Sequence, residues 1–322
     1  ARAALVPTVV ERDDALVQAN SRLSLIGGIS GFAAAIPGGI VLKLAGGEWV
    51  LVLAALAGAA QAVAASRLPA TAVAEDPPGA AEQEELRGTG VVLASEAMGV
   101  LRGVVGFLTF LLAFALRGGG DDTPVPTGLA LGRALRDTAG FDVLGSGGDG
   151  GGAPTWHFGL VLGASVLGGL VGALLAPRVR AVTSEERMVQ AALAGTAVVG
   201  LAGAAVGGLL GAALVALGVG MAASAGKLAF DAIVQRDAPD ANRGRSFARF
   251  ETRFQLIWVI GGFVPVVVAL PARVGFLVVA AAAGFALFGY LAGLRHVRGG
   301  RRRRGPFDPP AAEAVLVGTG PP

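Results

Sequence analysis

Residue types and spacings in this sequence point to three kinds of chemistry, and two of them fail on context. Gly145, Gly147 and Gly150 have the G-x-G-x-x-G spacing that lets a backbone turn approach a dinucleotide pyrophosphate. They lie in a glycine-rich stretch with no strand leading into a helix, so they read as loop. Residues 220–228, GMAASAGKL, resemble a phosphate loop one residue too long, with Leu228 where a Ser or Thr would hold magnesium. That segment reads as a membrane helix. His157 and His296 are far apart and no carboxylate cluster accompanies either, which favours interfacial side chains over a metal pair. Cysteine is absent, which excludes disulfides, thiolate metal sites and cysteine nucleophiles. No nucleophile–base pair is visible. The expectation is no enzyme, no metal and no cofactor.

The third kind is charge inside apolar sequence. Arg102 and Lys227 lie within long greasy stretches, where such a side chain costs about 2.5–3.5 kcal/mol at a helix centre. Each needs a reason. Asp231 follows Lys227 by one helical turn and can pair with it. The plainer alternative for both cations is snorkelling to the interface.

Those charges need elements to hold them, and composition says which. Of 322 residues 53% are hydrophobic and only 15% charged, against roughly 25% charged in soluble domains, and the mean hydropathy is +0.66. A helix that satisfies its own backbone needs roughly 20 mostly apolar residues to cross the bilayer. Eight stretches qualify, at about 20–42, 49–65, 98–116, 156–176, 188–206, 209–230, 254–270 and 275–294. The fold class is therefore all-α, a polytopic membrane protein with the lipid bilayer as its first partner. The fifth and sixth spans meet at Gly207 and Gly208 with no polar loop between them.

Orientation follows from arginine. With the N-terminus inside, nineteen Lys and Arg fall in inner segments, five in outer ones, and Arg102 and Lys227 within spans. Both ends are then expected on the cytoplasmic side of the plasma membrane. The net charge is only +3 with a pI near 10.1, and the basic residues sit in the connections, which suits a membrane surface rather than nucleic acid. Residues 1–67 form the first unit, and residues 68–97, acidic and Pro-rich, a cytoplasmic linker. Residues 98–298 hold six spans, and 299–322 a disordered basic, Pro-rich tail. The 117–155 connection is glycine-rich, with a short helix expected near 128–137. Ala1 to Val10 lack both an initiator Met and the pattern of a signal peptide, so the chain reads as beginning within a longer protein.

Small residues write the packing. Gly27, Gly31, Ala35 and Gly39 recur every four positions, as do Gly168, Gly172 and Ala176, and Gly203, Gly207 and Gly211. Such stripes let two backbones approach. Pro37 and Pro265 each remove a hydrogen bond inside a span, where hinges often sit.

The stretch KLAFDAIVQRDAPDANRGRSFARFETRFQLIWVIGG, from Lys227 to Gly262, resembles the connection between helices ten and eleven of major facilitator superfamily exporters, with Pro239 followed by Arg243 and Gly244. LVPTVVERDDALVQANSRLS resembles their connection between helices four and five. GALLAPRVRAVTSEER resembles the second-half copy of their gating loop, with Pro177 and Arg178 near the turn. Gly27, Gly28, Gly31, Pro37, Gly38 and Gly39 resemble the antiporters' fifth-helix motif, with Ile36 in place of the Gly before Pro. The resemblance implies that the eight spans are helices five to twelve of a twelve-helix fold. It implies a secondary-active exporter of small molecules working by alternating access, its substrate undetermined and protons its expected coupling ion. Arg102, Thr109, Lys227, Asp231, Gln255 and Trp258 would then line the substrate pathway, although Thr109, Gln255 and Trp258 also suit capping, packing or anchoring. Gly31, Pro37, Gly39, Arg178, Asp231, Arg243 and Gly244 would serve gating, with Arg178 pairing Asp231 to hold the inner gate closed. The rival class is a membrane structural or assembly protein that transports nothing.

Overall fold

In hydrocarbon an unpaired backbone group costs several kcal/mol, so each apolar stretch closes its hydrogen bonds within itself as a helix. The computed structural model describes residues 16–66, 84, 86–117, 155–237 and 243–303. Eight helices run through them: α1 (Leu16–Ala45), α2 (Gly47–Ser66), α3 (Thr89–Arg117), α4 (Thr155–Val182), α5 (Glu185–Val206), α6 (Gly208–Asp237), α7 (Arg243–Val267) and α8 (Ala272–Arg303). All eight are long and apolar enough to cross a membrane. The protein is a polytopic, all-α membrane protein.

Several helices extend past the apolar windows, mostly at the arginine-rich end. α6, with 30 residues, runs about 45 Å at 1.5 Å per residue, well beyond roughly 30 Å of hydrocarbon. α3 likewise starts at Thr89 rather than at 98, so the last part of the 68–97 stretch is helical. α8 carries its helix through Gly299 to Arg303, residues expected in the disordered tail, because arginine is a good helix former once the chain has left the lipid. The short helix expected near 128–137 falls outside the described residues, as does most of the acidic stretch.

α6 is the axis of the bundle. It packs most extensively on α4 and α5 and also touches α3 and α1, while α7 lies on α3, and α8 on α5 and α3. α1 lies along α4, and α2 touches α1. Between the helices are two apolar layers. Met98, Leu101, Met188, Leu193, Phe230, Ile233 and Phe254 fill the layer nearer the arginine-rich end. Leu111, Leu116, Val215, Val219, Phe276 and Val279 fill the other. Large apolar side chains also point outward, Phe285 being 81% exposed, which suits a lipid surround and not water.

Glycine sets the closest contacts. A Cβ on Gly168 or Gly172 of α4 would collide with the carbonyl oxygens of Leu217 and Met221 on α6, and one on Gly220 of α6 with that of Ser165. The expected α4 stripe is therefore in use. At the α5–α6 junction Gly207 and Gly208 take φ of 67° and 59°, left-handed values that suit glycine, and the Gly207 N–H donates to the Gly203 carbonyl at 2.8 Å. The α1 stripe has no such partner among the described residues. A Cβ at Gly31 or Gly39 would meet nothing within 4 Å among the described residues, whereas one at Gly28 would meet Leu170. α1 meets α4 at Gly28 and at Ser21, whose hydroxyl donates to the Ala173 carbonyl. Pro37 is exposed, and α1 continues through it as one helix.

Candidate functional site

Three helices bring charge together where hydrocarbon would penalise it singly. Lys227 and Asp231 occupy successive turns of α6, with Nζ 2.6 Å from Oδ1. Glu251 of α7 reaches toward two cations, its Oε2 3.7 Å from Lys227 Nζ and its Oε1 3.6 Å from Nη2 of Arg102 on α3. Gln255, one turn further along α7, donates from Nε2 to Glu251 Oε1 at 3.1 Å. Two cations and two anions form one chain, Asp231–Lys227–Glu251–Arg102, with no formal net charge. Each charge is compensated inside the bundle, which removes most of the reason to snorkel.

An aromatic wall backs the cluster. The Lys227 ammonium lies 5.7 Å from the Phe230 ring centre and 6.0 Å from that of Phe247, within reach of a cation–π attraction. Phe230 meets Phe250 and Phe254 edge-on, both at 5.2 Å. This apolar side lowers the local dielectric and strengthens the pairs. The opposite side is open: side-chain exposure rises from 9% at Asp231 through 22% at Lys227 and 28% at Arg102 to 43% at Glu251. Gln255 and Thr109 are exposed as well. Thr109 stands two turns beyond Arg102 on α3, and its hydroxyl donates to the Val105 carbonyl.

The α6 face that carries Lys227 and Asp231 continues one turn on to Gln235, which is buried. There the Asn20 side-chain amide of α1 donates to Gln235 Oε1 at 3.1 Å. Beside it the Ser21 hydroxyl donates to the Ala173 carbonyl of α4. α1 is thereby fastened to the six-helix group by buried polar bonds directly below the charge cluster.

Residues 148–310, just over half of the chain, match the profile of the transmembrane secretion effector family. The chain belongs to that family of major facilitator transporters. Among curated proteins none matches it in sequence.

Within this transporter, the sequence-based site residues divide. Arg102, Lys227, Asp231 and Gln255 are brought together, and Thr109 shares their open side. Trp258 is half-buried and packs edge-on against Phe110, with ring centres 5.9 Å apart, so it braces α7 on α3. The Arg178–Asp231 pair is not made. α4 runs through Pro177 to Val182, and the chain turns only at Thr183 and Ser184, where the Ser184 hydroxyl caps α5 by accepting from the Arg187 N–H. This leaves Arg178 exposed, near the Leu174 carbonyl, while Lys227 holds Asp231. The ion network at this end is built instead around buried Glu185, which accepts from Arg180 and, at 2.9 Å, from Arg236. Arg236 also donates to Glu186 at 2.7 Å and Asp237 at 2.6 Å, and so joins α4, α5 and α6. Arg243 and Gly244 open α7; the Arg243 side chain lies outside the described residues.

Residue-by-residue reading missed Glu251, Asn20 and Gln235 as site members. A signal for the first existed: two intramembrane cations faced one acid, leaving one charge to be found. Glu251 precedes Gln255 by four residues, as Lys227 precedes Asp231, and this spacing marks a shared helix face.

Proposed function

We propose that this transporter is a secondary-active exporter working by alternating access, with its arginine-rich end in the cytosol. The observation that carries the reading is the continuity of one α6 face: Lys227 and Asp231 belong to the charge cluster, and Gln235, next in line, is bonded across to α1. Rearranging the cluster therefore bears on the bond that fastens α1 to the six-helix group. Discontinuous or rocking helix groups that open alternately around a midplane site are the recurrent solution for such transporters. In this scheme the bonded arrangement of Asn20, Ser21, Ala173 and Gln235 is the cytosol-closed state, and the open side of the cluster faces the substrate path.

Protons are the proposed coupling ion. No observation favours the non-transporting alternative over this reading. The test is transport by the intact protein in liposomes under an imposed pH gradient, with small amphiphilic dyes that carry a carboxylate, an amide or a quaternary ammonium on one skeleton. Movement of any of them, abolished when the gradient is collapsed, is the expected result. Failure of all three to move would contradict the proposal.

A further inference from the structure

We infer that the cluster of Arg102, Lys227, Asp231 and Glu251 is an anion-binding site, in which the Glu251 carboxylate occupies the place of a carboxylate or phosphate group of the transported molecule. The inference rests on the proposed transport function and adds the charge class of the substrate. Three observations carry it.

The first is how unequally the pairs are made. Asp231 holds Lys227 at 2.6 Å, whereas Glu251 stands 3.6 and 3.7 Å from its two cations. Charge-assisted hydrogen bonds close to about 2.7–2.9 Å. Glu251 compensates the charge of Arg102 and Lys227 without satisfying their donors.

The second is burial, which decides what can exchange. Were a cationic substrate to take Glu251, Arg102 would lose its anion while remaining 28% exposed, with an Nε that is already buried without a hydrogen-bond partner. Removing one partner of an enclosed pair is the costly case. Were an anion to take the cations, the group released would be Glu251, the most exposed of the four at 43% and bonded to Gln255 on the open side. On its exposed side the carboxylate has room to swing away from both cations. Without it Arg102 and Lys227 face Asp231 alone, which leaves one net positive charge.

The third is the chemistry of the vacated place. A guanidinium offers a planar fork of donors matched to a carboxylate or phosphate, and the Lys227 ammonium stands opposite it across the position of the Glu251 carboxylate. Val259 and Phe263 follow Gln255 along α7 at spacings of four and eight and are exposed, so the rest of such a molecule meets apolar surface. The fitting ligand is a small amphiphile with one anionic head.

Binding of the same three dyes to the intact protein in liposomes of zwitterionic lipid tests this. The carboxylate dye is expected to bind at least about tenfold more tightly than the amide or ammonium dye. Glu251→Gln, which removes the internal competitor, should strengthen carboxylate binding several-fold. Arg102→Gln should weaken it about tenfold and leave the amide dye unchanged, and Arg102→Lys should recover part of the loss and exclude misfolding as its cause. Equal binding of all three dyes, preference for the ammonium dye, or weaker carboxylate binding in Glu251→Gln would overturn the inference. So would displacement of the dye by added anionic lipid, which would assign the site to a headgroup. Should the dyes move without charge preference, the transport reading stands and this inference fails alone.

Discussion

Leucine at Gly172 is expected to leave little folded protein. The missing side chain at this position lets α4 lie against the Met221 carbonyl of α6, Gly168 does the same at Leu217, and Gly220 returns the contact at Ser165. In lipid there is little hydrophobic force to draw helices together, so close backbone packing is much of what holds them. Inserting methylenes into an ordinary core costs roughly 1–3 kcal/mol because side chains can shift. Here the obstacle is main chain, which cannot turn aside, and the cost should exceed about 3 kcal/mol. Gly195→Leu on α5, where an added Cβ meets nothing within 4 Å among the described residues, should behave close to the parent. Thermal unfolding of the detergent-solubilised protein, with monodispersity on a sizing column, compares the two. Equal stability of Gly172→Leu and Gly195→Leu would refute the packing argument.

Lys227→Met should abolish transport and destabilise the fold together. It strands Asp231, 6% exposed, whose compensating cation is gone, and breaking an enclosed pair from one side typically costs about 3–5 kcal/mol. Adding Asp231→Asn removes the stranded charge. The double variant should regain most of the lost stability, since replacing both members of a buried pair is often close to neutral. It should not regain transport, because Glu251 still lacks its second cation. Melting temperature and dye transport, measured on the parent, single and double variants, separate the two roles. Transport restored in the double variant would show that the pair serves only folding.

Much of the fold was legible because lipid imposes one rule on every residue it touches. Twenty apolar residues between polar breaks have to become a helix, and eight such runs became eight helices. Gly207 and Gly208 announced a turn, since two adjacent glycines at a junction without polar residues leave few other readings. The spacing of Lys227 and Asp231 announced a pair. What could not be read was anything that depends on which helix lies beside which. Asn20 and Gln235 are 215 positions apart, and nothing local to either names the other. A spacing of four also names no neighbour, so nothing local to Gly28 says that it meets Leu170 of α4. Pro177 misled for a related reason. Its ring removes a hydrogen bond, but a helix packed along α6 tolerates that loss, and the turn waits for the cap at Ser184.

The polar bond between α1 and α6 offers the most direct trial of alternating access. The chain contains no cysteine, so Asn20→Cys and Gln235→Cys introduce a thiol pair free of background from its own sequence, at the 3.1 Å contact that fastens the two elements. Bridging the pair with a short bis-methanethiosulfonate reagent should stop dye transport by the intact protein, and reduction of the bridge should restore it. Undiminished transport while the bridge is demonstrably in place would mean that this end of the molecule need not open, contrary to the account given.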